Sequence, residues 1–260
     1  MLSRLKESDF RVLRGPFEYG RQRPEGLAIN LLLSIFLQIL LFYLTYGVVA
    51  ELTTFPYKDN LYHIHLVVTS ILILLSVLFS VPKIYKSVTG QRIQYLVVIL
   101  VSQNLFGVFL YICALFIISV EGHIITKKTV MTTTYITLAI GMLIFIASYI
   151  RFYISLNKGD YRNESKKDEL RSKQEFNIKS ILPIVIIGSI AIVYALQFMV
   201  RNAYLIRFDD ILIVLIGIGV FNTMLFILPE QLVILYCKHR FDSFNYSKNG
   251  KLNSIGKMGA

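Results

Sequence analysis

The sequence predicts an all-α, polytopic membrane bundle of six transmembrane helices with the N- and C-termini both cytoplasmic. Hydrophobic residues make up 55% of the chain and the mean hydropathy is +0.61, well beyond soluble globular usage. Six apolar runs of roughly 18–27 residues each suffice to cross a ~30 Å hydrocarbon core at about 1.5 Å per residue. They are too long and too evenly apolar for barrel strands, which alternate over ~10 residues. The basic residues then set the orientation. Of the 27 Lys and Arg residues, only Lys58, Lys127, Lys128, Arg201 and Arg207 fall in the loops assigned to the exterior, and Lys/Arg excess marks the cytoplasmic side.

Taken in order, residues 1–26 form a cytoplasmic N-terminal segment. Within it Leu2, Leu5, Phe10, Val12 and Leu13 gather on one side of a helical projection. This predicts a short interfacial helix on the inner leaflet, although Lys6 and Asp9 interrupt the apolar side. Gly15-Pro16, Gly20 and Arg23-Pro24-Glu25-Gly26 then break the chain. A charged, turn-rich segment ahead of a full-length span is not the pattern of a cleavable signal. The transmembrane domain, 27–237, comprises spans at 27–50, 61–81, 95–120, 130–156, 180–200 and 211–237. Residues 157–177 make a charged cytoplasmic loop, with a helix start near Asn163-Glu164-Ser165 and an i,i+4 pair Glu169–Lys173. The remaining 238–260 is expected to be a basic, disordered tail. Polar positions of spans one to three do not recur in spans four to six, so no inverted repeat of the transporter kind is present.

The exterior acids Glu51, Asp59, Glu121, Asp209 and Asp210 balance the exterior bases, which leaves the net charge of +11 on the cytoplasmic side. Attraction to an anionic inner leaflet accounts for it. With no folded soluble domain to shape the charge, a nucleic-acid partner is not expected. Cys113 and Cys237 lie on different spans at different depths, so neither a disulfide nor a metal site is expected.

Two charged residues fall well within the runs, Arg151 and Glu230. From Asp209 to Leu228 a helix already covers a core of ~30 Å. Glu230 therefore belongs at the inner interface, and Pro229 is expected to kink the chain near 228 ahead of an interfacial segment 229–239. Pro and Glu both suit a first helical turn. Arg151 lies at a similar depth. The two either form a structural ion pair, or Arg151 reaches lipid phosphates while Glu230 meets water. Gln38, Gln103, Asn104, Gln197 and Asn222 are candidates for polar contacts between helices, at about 0.6 kcal/mol each, or for lining a path. Gly107, Gly141, Gly188, Gly217 and Gly219 permit close helix approach. His63 and His65 would point about 200° apart on a helix and so cannot share a metal; the expectation is a pair of interfacial histidines. The templates H-E-x-x-H, G-x-S-x-G and the Walker A loop do not occur, so no catalytic, cofactor-binding or metal residues are assigned and no cofactor is expected.

Ahead of the first span the chain reads Gly15-Pro16-Phe17-Glu18-Tyr19-Gly20-Arg21. With its Lys-, Asn- and Ile-rich layout, it resembles the small six-span membrane proteins of low-GC Gram-positive bacteria, some encoded in type VII secretion and toxin-immunity loci. The resemblance covers layout, carries over no site residue, and implies a bacterial plasma membrane. The function expected is that of a non-catalytic multi-pass protein acting by protein–protein contact in the bilayer, as a secretion or transport accessory or an immunity protein. Its partner would be another membrane protein or a further copy of itself. The alternative is the permease subunit of a small ABC-type exporter, which would need segment 83–94 or 157–177 to dock an ATPase. An intramembrane enzyme is a third, less favoured reading. The topology is testable: in intact cells, Asn60→Cys should react with an impermeant thiol reagent and Ser172→Cys should not. The reverse pattern would invert the orientation.

Overall fold

A computed structural model of the protein describes residues 2–120, 126–170 and 208–255. Within these the regular structure is helical, and the strand-like pairings are two isolated bridges, Thr53 with Val120 and Tyr246 with Leu252. Five helices are long and apolar enough to cross a membrane. They are α1 (Pro24–Leu52), α2 (Lys58–Phe79), α3 (Val88–Ile118), α4 (Lys127–Asn157) and α5 (Phe208–Arg240). The expected span 180–200 lies outside the described residues, and Gln197 and Gly188 with it. The first three helices begin before the apolar runs do, because polar residues form their first turns. Pro24 needs no backbone donor at the start of α1. Ser87 caps α3 by accepting from the Gly90 amide at 3.0 Å. Both α1 and α3 contain a π-helical stretch, Tyr43–Val49 and Gln103–Val108.

The chain divides into two compact units. One comprises Met1–Gly15 and Ile154–Ile213, the other Pro16–Tyr153 and Val214–Ala260. The core of the second is the packing of α1, α2 and α3 around Leu31, Leu72, Phe79, Val97, Val101, Leu105 and Phe109. A further cluster, Phe55, Tyr111, Ile112, Leu115, Phe116 and Val130, lies toward the end where α1 and α3 finish. There Tyr111 stacks on Phe221 of α5 at 4.4 Å and its hydroxyl donates to the Thr134 carbonyl of α4 at 3.2 Å. Gly217 lets α5 close on α3: a Cβ there would stand 2.7 Å from the Leu110 carbonyl oxygen.

The tail departs from expectation. Residues 241–255 are folded back onto the bundle rather than left without structure. The Gln91 side-chain amide pairs with the Tyr246 backbone in both directions, each bond 2.8 Å, as a neighbouring strand would. The Tyr246 hydroxyl donates to the Phe17 carbonyl at 2.6 Å, and Asn245 Nδ2 donates to the Lys238 carbonyl at 2.8 Å. Lys238, 2% exposed, donates to the Phe244 carbonyl at 3.0 Å and lies 4.7 Å above the Phe17 ring. A tail otherwise rich in Lys folds because Phe241, Phe244 and Tyr246 supply burial and the ends of α3 and α5 supply hydrogen-bond partners.

Two further expectations change. In the first unit, Glu7–Arg14 is a 3-10 helix whose Phe10, Val12 and Leu13 are buried in protein, not presented to a leaflet. Asp9, the residue that spoiled its apolar side, is the reason: it meets Arg162 at 2.8 Å, while the Val12 amide donates to the Tyr161 carbonyl at 3.0 Å. In the second unit, α5 runs through Pro229 to Arg240, so Pro229 does not end the helix. Gln103 Nε2 donates to the Met224 carbonyl of α5 at 3.1 Å.

Removal of the tail's amide clamp by Gln91→Ala should cost about 2 kcal/mol, two bonds and a stranded Tyr246 backbone. Gly217→Ala should cost about 1–3 kcal/mol by overpacking. Denaturant titration in mixed micelles measures both, and a neutral Gly217→Ala would contradict the close approach of α5 to α3.

Candidate functional site

Buried polar residues recur down α2 at helical spacing: His65, Thr69 and Ser76 share a stripe with Leu72 and Phe79. Hydrocarbon offers such groups no partners, so each must be satisfied within the protein. Ser76 uses its own helix, donating to the Leu72 carbonyl at 2.7 Å. His65 and Thr69 are satisfied by other helices. His65 Nε2 stands 3.0 Å from Asn104 Oδ1 of α3, and Asn104 Nδ2 donates to Thr69 Oγ1 at 3.4 Å. With the Asn104 nitrogen so engaged, its oxygen faces the imidazole, which assigns the proton to Nε2. His65 Nδ1 is then an acceptor for the Tyr46 hydroxyl of α1, 3.0 Å away. One imidazole thus joins three helices. Its ring lies 4.2 Å from that of Phe109 and 6.0 Å from that of Phe42.

Both interhelical partners come from the π-helical stretches. A π turn inserts a residue into the helix and redirects the side chains that follow; such turns are common at functional sites. Here they place Tyr46 and Asn104 on opposite nitrogens of the same ring.

Beside this network runs a cleft of about 450 Å³ between α1 and α2, open on the surface of the spans and walled by Ile39, Phe42, Tyr43, Tyr62, Leu66 and Ile73. Gly47, Thr69, Ser70 and Tyr46 also line it, so two members of the network, Tyr46 and Thr69, face the cleft. A smaller hollow of about 200 Å³ shares Tyr46 and Tyr62 and is bordered by Glu51, Lys58 and Asp59. Tyr46 therefore stands at the junction of an apolar cleft and a charged mouth.

Of the residues singled out from sequence, Asn104 is in the network and Gln103 makes the α3–α5 contact described above. Gln38 is fully buried, but neither of its amide atoms has a hydrogen-bond partner among the described residues, and Asn222 Oδ1 is likewise buried without one. Gln197 lies outside the described residues. Arg151 is exposed and Glu230 half-buried; among the described residues no ion pair joins them, and Glu230 lies within electrostatic range of Tyr95. His63 is exposed while His65 is 4% exposed, so the two part company across the helix, and His65 is buried within the bundle. Counted from Lys58, where α2 begins, His65 lies about 10 Å into the helix. The signal that would have found it is the spacing His65–Thr69–Ser76, a polar stripe at helical period. Among the described residues no group of three or more His, Cys, Asp and Glu is placed to hold a metal.

Comparison of the chain with protein-family models, with curated proteins and with solved structures finds no match. Asn104→Ala should cost about 2 kcal/mol, since it strands the His65 donor and Thr69 together. Tyr46→Phe, which keeps the ring, should cost about 0.6 kcal/mol. Unfolding in mixed micelles gives both values, and equal costs would argue that Asn104 is not the shared partner.

Proposed function

We propose that the chain is a non-catalytic multi-pass protein of the plasma membrane that acts by contact with another membrane protein inside the bilayer, as a secretion or transport accessory or an immunity protein does. The cleft between α1 and α2 carries the reading. Its lining combines small or hydroxylated residues (Gly47, Thr69, Ser70) with aromatic and aliphatic ones. Transmembrane helices associate through small residues that allow close approach and through hydroxyls that bond across the interface, so the cleft has the make-up of a seat for a ridge of side chains on a partner helix. The exposed Tyr43 and Leu66 at its edges extend the contact surface. The exporter reading has less support: Gln91 and Arg92, at the far part of segment 83–94, are engaged by the chain's own tail, Gln91 pairing with the Tyr246 backbone and Arg92 donating to Asp242 Oδ1 at 3.4 Å.

A photoreactive residue at Leu66 in the full-length protein, irradiated in cells, should give a discrete protein adduct. One at Leu143, on the exposed face of α4, should not. Ser70→Trp should fill the cleft and lower the adduct about tenfold without changing the amount of folded protein, a loss of about 1.4 kcal/mol. An adduct with a second copy of the chain would make the protein its own partner. Labelled lipid alone would overturn the reading.

A further inference from the structure

We propose that His65 is a proton-binding site within the membrane-spanning bundle, and that taking up a proton turns the Tyr46 hydroxyl and so alters the cleft. The regulation rests on the cleft being a contact surface; the proton site does not.

The hydrogen-bond geometry accepts both states of the imidazole. In the neutral ring Nε2–H donates to Asn104 Oδ1 and Nδ1 accepts from the Tyr46 hydroxyl, each at 3.0 Å. A proton arriving from solvent binds Nδ1, which becomes a donor and needs an acceptor at the same place. The Tyr46 oxygen is that acceptor once its own hydrogen rotates away, and the Leu61 carbonyl oxygen lies 3.4 Å from the Tyr46 oxygen to receive it. Tyr46 keeps its proton and no covalent bond other than the new N–H is formed or broken. No donor is stranded in either state, the condition that a buried polar group must meet.

The imidazole is set among aromatic side chains. Phe109 and Tyr46 bring their rings to 4.2 and 5.6 Å from the imidazole, and aromatic faces attract an imidazolium. The titratable group contributed by α1 is Tyr46; α3 presents Asn104 and Phe109, neither of which titrates. On α2 itself, Tyr62 packs on Tyr46 at 5.4 Å. The charged groups bordering Tyr46 are Glu51, Asp59 and Lys58. An ionisable side chain held in the interior of a membrane bundle is costly and is ordinarily kept for function. A neutral amide would tie α2 to α3 as well and at less cost.

The test uses the full-length protein in lipid nanodiscs, labelled with 15N-histidine and carrying His63→Gln, His123→Gln and His239→Gln. The imidazole nitrogen resonances are followed as the pH is lowered from about 8 to the limit of the folded state. The reactivity of Ser70→Cys in the cleft toward a lipid-soluble maleimide is read at residue 70 by mass spectrometry over the same interval. The expected result is an Nε2–H tautomer that becomes doubly protonated while the fold persists, with a change of about threefold or more in the rate at Ser70→Cys. Tyr46→Phe should abolish that rate change. A ring that stays neutral throughout overturns the proton site. A ring that titrates without any change at Ser70→Cys, or a response that survives Tyr46→Phe, overturns the coupling through Tyr46. Titration as expected, with no protein adduct at Leu66, would leave the proton site standing and remove the contact reading alone.

Discussion

A polar side chain buried among membrane helices finds its partner inside the protein or pays the full penalty of desolvation, and the packing of α1, α2 and α3 follows from that constraint. Apolar contacts alone would leave these helices free to rotate against one another, since lipid tails are as apolar as Leu and Val. The bond from His65 to Asn104 sets the facing sides of α2 and α3, and the bond to Tyr46 sets α1 against both. Gln94 acts in the same way at the opposite end of the bundle, donating to the carbonyls of Pro24 and Phe79 at 3.0 Å each. Three helices are thus registered at two depths by side chains of which each meets two partners.

The same logic explains the order of the tail. Lys238 is buried at the end of α5, where an amino group without acceptors would be untenable. Phe244 supplies a carbonyl and Phe17 an aromatic face, so the tail and the segment before α1 are bound to each other through one residue. The run Gly15-Pro16-Phe17-Glu18-Tyr19-Gly20-Arg21, conspicuous in the sequence but without a mechanism there, is half of this socket. Phe17 is 1% exposed, and Gly20 takes a positive φ of 75°, which a residue without a Cβ adopts at little cost.

Legibility differed from residue to residue for physical reasons. Gln103 and Asn104 contact other helices, and an amide in an apolar run has few alternatives. Their partners were not legible: one is a carbonyl of α5 ahead of Pro229, the other a histidine read as interfacial. Asp9 was read as a flaw in an amphipathic pattern and is instead half of an ion pair with Arg162, 153 positions away. Pairings so distant in sequence leave no periodic trace. Gln38 is the converse case, a candidate for an interhelical contact that is buried while its amide atoms meet no hydrogen-bond partner among the described residues.

By itself the sequence determined that the described residues are helical, and where five helices long and apolar enough to cross a membrane lie. Those properties depend on transfer of side chains out of water and on backbone bonds made within one segment, and both are local. Only the tertiary structure decided which polar groups meet. The joining of Tyr46, His65 and Asn104 needs three helices brought to one depth and two π turns that shift the side-chain register by a residue, and a hydropathy pattern records neither. The cleft has the same origin, for side chains of both α1 and α2 line it.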